Sequence, residues 1–174
     1  MTKRLLLTSS VSLLFFLPSC DSKKRRGSAG ENGGEPIALI SQSIATCESY
    51  LGSPRRVHQV SPEARSYLHQ GLHIQISYER GESIAVVFSK ATEMGSSPRG
   101  LTDADRDLIY KLCGTRSDDL ELVFRNGLDS WETFAGLANG QSYLLSTDSK
   151  KKAMVVMPNT EATWKAMQRY MKTK

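Results

Sequence analysis

Three cysteines, three histidines and one run of aspartates are the residues of this chain whose side chains could do chemistry, and their spacing decides what kind. His69 and His73 stand four apart, the interval at which a helix aims two imidazoles at one metal ion. Gly71 lies between them, however, and Leu72-His73-Ile74-Gln75-Ile76-Ser77-Tyr78 alternates apolar with polar residues. That is strand periodicity, so His58, His69 and His73 read as solvent-facing strand residues and no metal site is expected. Asp103-Ala104-Asp105-Arg106-Asp107 has the alternating carboxylates of a calcium loop, but such a loop needs Gly at its sixth position and Glu at its twelfth. Here those positions hold Leu108 and Gly114. Carboxylates at the start of a helix are already accounted for by its dipole. The chain has no GxSxG, P-loop or dinucleotide-binding glycine pattern, and no spacing nominates a triad or an acid pair. The expectation is no cofactor and no catalysis, although distant residues can assemble a site.

Cys47 and Cys113 stand 66 residues apart. Outside the cytoplasm an even pair of cysteines suggests a disulfide, and closing a loop of that size would stabilise by roughly 4 kcal/mol in the chain-entropy model. Both also fall on apolar helical stripes, where a free cysteine is a common small core residue, so both readings stay open. Neither belongs to a CxxC motif or a Cys/His cluster, which leaves redox and structural-zinc chemistry unsupported.

The third cysteine has a different setting. Lys3 and Arg4 precede the largely apolar run Leu5 to Leu17, and Pro18-Ser19-Cys20 follows. This is the order of a secretory signal. Its 13 apolar residues reach about 20 Å as a helix, against a bilayer core of about 30 Å, so a cleaved signal fits better than a permanent span. Leu17-Pro18-Ser19-Cys20 resembles the lipobox of bacterial lipoproteins: Leu17 sits three before the cysteine, the small Ser19 just before it, and Cys20 at the acylated position. The resemblance covers about 20 residues and departs from the pattern at Pro18 and at the basic run Lys23-Lys24-Arg25-Arg26, which opposes the positive-inside bias. It implies a signal peptide over 1–19, a diacylglyceryl thioether on Cys20, palmitate-type chains in the membrane and a location on the extracytoplasmic side of the bacterial cell envelope. Residues 20–35, basic and then glycine-rich, read as a tether. The basic run either sits on anionic headgroups or is a solvated spacer.

Composition supports one ordinary domain beyond the tether, over 36–174. Hydrophobic residues make up 39% and charged residues 24%, as in globular proteins. The net charge of +5 is local, since six of the 23 Lys and Arg, but one of the 18 Asp and Glu, fall in the first 26 residues. A balanced domain has no electrostatic footprint for nucleic acid, and no nucleic-acid partner is expected.

Periodicity gives the elements. Ile37, Ile40, Ile44, Cys47 and Leu51 share one helical face up to Gly52. A weak strand over Arg56–Val60 precedes strands over Leu72–Tyr78 and Ser83–Phe88, the latter two joined by a turn at Glu79-Arg80-Gly81-Glu82. Thr102 caps a second helix that runs to about Cys113. Strands over Leu120–Arg125, Ser130–Leu137, Ser142–Thr147 and Ala153–Met157 follow, with Asn126-Gly127 and Asn139-Gly140 as hairpin turns. A last helix opens at Pro158-Asn159-Thr160 and turns Trp164, Met167, Tyr170 and Met171 to one side. The fold class expected is α+β, an antiparallel sheet with packed helices.

The halves 36–95 and 101–174 look like a degenerate tandem duplication of a helix-plus-three-strand unit. A shift of 69 pairs Gly71 with Gly140, Ile74 with Tyr143, Ile76 with Leu145, Ser77 with Ser146, Val86 with Val155 and Val87 with Val156; the helix cysteines pair at a shift of 66. In element order this is similar to the tandem helix-then-meander architecture of beta-lactamase-inhibitor-like proteins and of small lipoproteins of the outer-membrane assembly machinery. That likeness implies protein binding by an exposed sheet face. Polar His73, Gln75 and Ser77 fit either such a surface or a solvated face. Trp131 reads more as core than as a recognition aromatic, given Thr133 and Ala135 on its side. The expected function is a lipid-anchored, non-enzymatic binding or scaffold module with a protein or cell-wall partner. An envelope hydrolase and a small-ligand carrier are the competing readings.

Overall fold

The computed structural model describes residues 38–59, 62–91, 99–126, 131–138, 140–147 and 152–172. Cys20, the lipobox and the tether lie outside them. Two tight turns organise the first half. Gln70-Gly71 (φ 46° and 81°) and Arg80-Gly81 (φ 53° and 83°) each place two successive residues in the left-handed region, the type I′ geometry whose twist matches antiparallel strands. They fold β2 (Glu63–His69), β3 (Leu72–Glu79) and β4 (Glu82–Lys90) into a meander, with the short β1 (Arg56–His58) on its edge. The second half repeats the plan with β5 (Glu121–Asn126), β6 (Trp131–Ala138), β7 (Gln141–Thr147) and β8 (Ala153–Pro158).

The two meanders join where β4 pairs β8, giving one eight-stranded antiparallel sheet in the order β1-β2-β3-β4-β8-β7-β6-β5. With α1 (Ile44–Leu51), α2 (Asp103–Leu112) and α3 (Glu161–Lys172), the fold is α+β, as expected. Each half has a helix followed by four strands, not three. The added strand in the first half is β2, whose polar letters hide its alternation of Ala64, Ser66 and Leu68 with Arg65, Tyr67 and His69.

The shift of 69 holds through Ile76 and Leu145, both fully buried, and then slips by one. Ile76 pairs Val86 while Leu145 pairs Val156, so Val86 corresponds to Val156, each 1% exposed. The pairs Val86 with Val155 and Val87 with Val156 are thereby corrected. A two-residue turn joins β3 to β4, with a bulge at Ser77/Tyr78, whereas the β7–β8 connection is longer. A one-residue slip exchanges the faces of a strand. The cysteine correspondence fails too, because Cys47 lies inside α1 and Cys113 is the C-cap of α2.

One face of the sheet carries the core. Tyr67, Leu72, Ile74, Ile76, Tyr78, Val86, Phe88, Tyr143, Leu145, Met154 and Val156 pack with Cys47 and Leu51 of α1 and with Ile109 and Leu112 of α2. Ahead of α1 runs an irregular segment, residues 38–43, whose Ala38, Leu39 and Ile40 are at most 4% exposed. The expected helix over Ile37–Leu51 is therefore shorter. Ser41 has φ 58°, and Ser43 caps the helix by accepting from the Thr46 N–H. The segment gives its backbone elsewhere: Leu39 N–H donates to Leu112 O, Ser41 N–H to Ser83 O, and Ser83 N–H to Gln42 O. The Ser83 hydroxyl, 2% exposed, donates to Leu39 O at 2.6 Å.

Core volume is distributed differently in the two halves. Tyr67 faces Ile74 across β2–β3, while at the corresponding place Gly136 faces Tyr143. A Cβ on Gly136 would lie 2.5 Å from the Tyr143 ring, so the second tyrosine fills the space that the glycine leaves.

Candidate functional site

Both sulfurs of the Cys47–Cys113 pair are free, buried thiols, with no disulfide between them. Cys47 points to Leu39 O at 3.9 Å, and Cys113 ends α2. Burial pushes both thiols above their usual range, which keeps them protonated and unreactive. They are core residues. His69 and His73 cannot share a metal: His69 pairs with Leu72, on the core side, and His73 pairs with Leu68, on the other. Among the described residues no group of three or more His, Cys, Asp or Glu could hold a metal ion.

The aspartate run opens α2 as expected, but Asp105 does more than meet the dipole. Its carboxylate accepts from the Thr102 N–H at 2.9 Å and from the Thr102 hydroxyl at 2.7 Å, while Thr102 Oγ1 accepts from the Asp105 N–H. This capping box is bound across to Lys90 of β4 at 2.5 Å. Burial raises the Asp105 pKa, but Lys90 and Thr102 outweigh it and hold the group below the usual carboxylate range.

What is left as a surface is the side of the sheet away from α1 and α2. Pairing places its residues in rows across the strands. One row runs Arg56, Ser66, Gln75, Val87, Val155, Ser146, Thr133; a second holds Leu68, His73, Ser89, Ala153; a third holds His58, Ala64, Ser77, Ala85. Apart from Leu68, these side chains are small or polar, and the face divides in two.

Along β6–β7 it is closed over Thr133, Leu144 and Ser146, while Leu137 at the end of β6 stays 65% exposed. Leu144 points away from the core yet is 0% exposed, and Thr133 and Ser146, hydrogen-bonded at 3.0 Å, are 1% and 5% exposed. Asn159 Nδ2 donates to Ser142 Oγ on this same face and Trp164 Nε1 donates to Asn159 Oδ1, so the start of α3 is held here. Thr163, Trp164 and Met167 are its half-buried side. The grouping of Trp164 with Met167 holds; the side chains of Tyr170 and Met171 lie outside the description. Trp131 is half-buried beside Thr133.

Along β2–β4 and β8 the face is half-open. His73, Gln75, Ser77, Ala85, Val87 and Val155 are intermediate in exposure and Leu68 is 38% exposed. Burial, and after it the charge of Arg55, lowers the pKa of His73, so the imidazole is neutral at pH 7. His73, Gln75 and Ser77 were legible from alternation. Arg55 and Ser66, which join them, were not, because β2 was missed. The signal was there in the alternation of Ala64, Ser66 and Leu68 before Gln70-Gly71.

No protein-family model matches the chain, and no curated protein matches it. Among solved structures it is similar to a cysteine-rich secretory protein from Staphylococcus aureus subsp. aureus Mu50, at 12% identity and a TM-score of 0.37, over 70% of this chain and 45% of that one. It is also similar to an extracellular protein containing an SCP domain from Bacillus anthracis str. Ames, at 8% identity and a TM-score of 0.36, over 80% and 50%. The chain spans about half the length of these proteins, and no site residue carries over from them.

Proposed function

We propose that this chain is a lipid-anchored protein of the bacterial cell envelope, held on the extracytoplasmic side through Cys20, whose domain is a non-enzymatic module that binds a protein partner on the half-open sheet face. The anchor rests on the Leu17-Pro18-Ser19-Cys20 pattern. Binding rests on one observation: α1 and α2 both pack on the same side of the sheet, leaving β2–β4 and β8 half-exposed and lined by small side chains over which another chain can lie flat. Leu68, a large apolar residue 38% exposed, lies on that face and suits a contact surface.

The repeat of a helix and four strands, with Gly71 and Gly140 both at positive φ and Ile74, Tyr143, Ile76 and Leu145 all fully buried, supports an origin by duplication of that unit. In this reading α3 is the later addition, and by closing one half of the second face it confines binding to the other.

Metabolic labelling with an alkynyl palmitate tests the anchor; incorporation into the wild-type chain and its loss in Cys20→Ser are expected. A photocrosslinking residue at Ser77 or Val87 tests the face. It should give one specific adduct in intact cells that the same residue at Arg116, on the second half, does not give.

A further inference from the structure

The half-open face has a chemical polarity that names what it takes. Its rows over β2–β4, from Leu68–His73–Ser89–Ala153 through Arg56–Ser66–Gln75–Val87–Val155, contain no carboxylate. They hold donors: the Gln75 amide and the His73 imidazole. Arg55, tied by its N–H to Ser66 O at 2.7 Å, brings a guanidinium whose charge is felt at His73. The contrast with the core side is sharp one residue away. Arg65 there binds Glu48 of α1 and, at 2.6 Å, Glu63, whereas Arg55 and His73 enter no ion pair among the described residues. The acidic residues of the first meander stand at the other end of the strands, where Glu79 pairs Glu82.

We propose that this corner of the open face is a docking site for an acidic polypeptide segment, one carboxylate of which lies between Arg55 and His73 and accepts from Gln75. The inference rests on the binding role proposed for the face and specifies its partner. Charge-assisted hydrogen bonds to a carboxylate are the strong ones, and among the described residues these rows hold no such group. A peptide suits the site because the rows beside it, Ala64–Ser77–Ala85 and Ser89–Ala153, are small side chains along which an extended chain can lie.

The test uses the full-length protein in detergent with a fluorescent peptide of alternating glutamate and valine, read by anisotropy at low and at physiological salt. Binding that weakens about ten-fold or more in Arg55→Glu, is unchanged in Arg116→Glu, and shifts the His73 ring resonances on titration is the expected result. Equal binding by wild type and Arg55→Glu, or none by either, overturns the proposal. So does tighter, Arg55-dependent binding to phosphatidylglycerol vesicles than to the peptide, which would make the corner a lipid contact. Circular dichroism of each variant, compared with wild type, separates lost docking from lost folding. The photocrosslink at Ser77 separates the two proposals: an adduct retained in Arg55→Glu removes the acidic partner and leaves the binding face, and an adduct absent from the wild type removes both.

Discussion

The two halves of the sheet are built on one plan and treat their outer side differently. In the second half Leu144, Thr133 and Ser146 turn away from the core and are still buried, at 0%, 1% and 5% exposure. In the first half Gln75, Ser77 and Val87 turn the same way and stay half-exposed. The strands themselves do not cause the difference. A helix follows β8 and is latched to β7 through Asn159 and Ser142, while the helix that follows β4 returns to the core side, where Asp105 is bound to Lys90. Which faces are free for a partner is thus set by where two helix starts are fastened.

That contrast can be broken by charge. Ser146→Lys buries an ammonium with no partner and should cost about 3 kcal/mol or more, seen as a large drop in the urea midpoint. Next in size is Gly136→Val. Its side chain would collide with Tyr143 and Leu120, and overpacking of this kind costs about 1–3 kcal/mol. At the matching place in the first half Tyr67 already fills the space, so Tyr67→Phe, which removes only the hydroxyl bonded to Tyr78 at 3.2 Å, should cost about 1 kcal/mol. Asp105→Ala releases the α2 cap and strands Lys90; a loss of about 1–2 kcal/mol in thermal or urea unfolding is expected. The smallest effect is Ser77→Lys, within about 0.5 kcal/mol of wild type, although it should abolish the crosslink from position 87.

A pH scan sharpens the comparison further, because all three histidines lie in the first half. Burial lowers the His69 pKa below its ordinary 6.5, and its Nε2 is buried without a hydrogen-bond partner among the described residues. The unfolded chain then binds the extra proton first. Stability is complete above about pH 6.5 and falls as pH drops from there to the lower folded value. Amide exchange should report that loss in β2–β3 before β6–β7, and His69→Gln should flatten it. The depressed Asp105 acts lower, its contribution present above the carboxylate range and lost as pH falls through its folded value.

Much of this architecture was legible because its signals are local. Thr102 announces a cap, Arg80-Gly81 a turn, and Ile74 and Ile76 a buried strand face, each within a few residues. β2 was hidden because its core side reads Arg65, Tyr67, His69. An arginine there is understandable only once Glu48 and Glu63 are seen around it. Ile40 was assigned to a helix because spacing alone cannot distinguish a helical stripe from an irregular segment whose partners, Ser83 and Leu112, lie far along the chain. The open face was half-visible. Alternation marked His73, Gln75 and Ser77, but only pairing across strands could add Ser66 and Arg55. The part of the chain that carries Cys20 was the reverse case, read from motif and outside the described residues.

The buried segment that begins at Ala38 also imposes an order of events. Leu39 is among the first described residues to leave a ribosome or a translocation pore, yet its partners are Ser83 and Leu112, the latter 73 positions later. Until that length has emerged, its apolar side chains have nowhere to go. Long-range closure of this kind is slow, so the earliest piece of the domain to be made must wait for α2 before it is seated, and a chain arrested before Leu112 would carry an unsatisfied apolar end that chaperones and proteases can recognise.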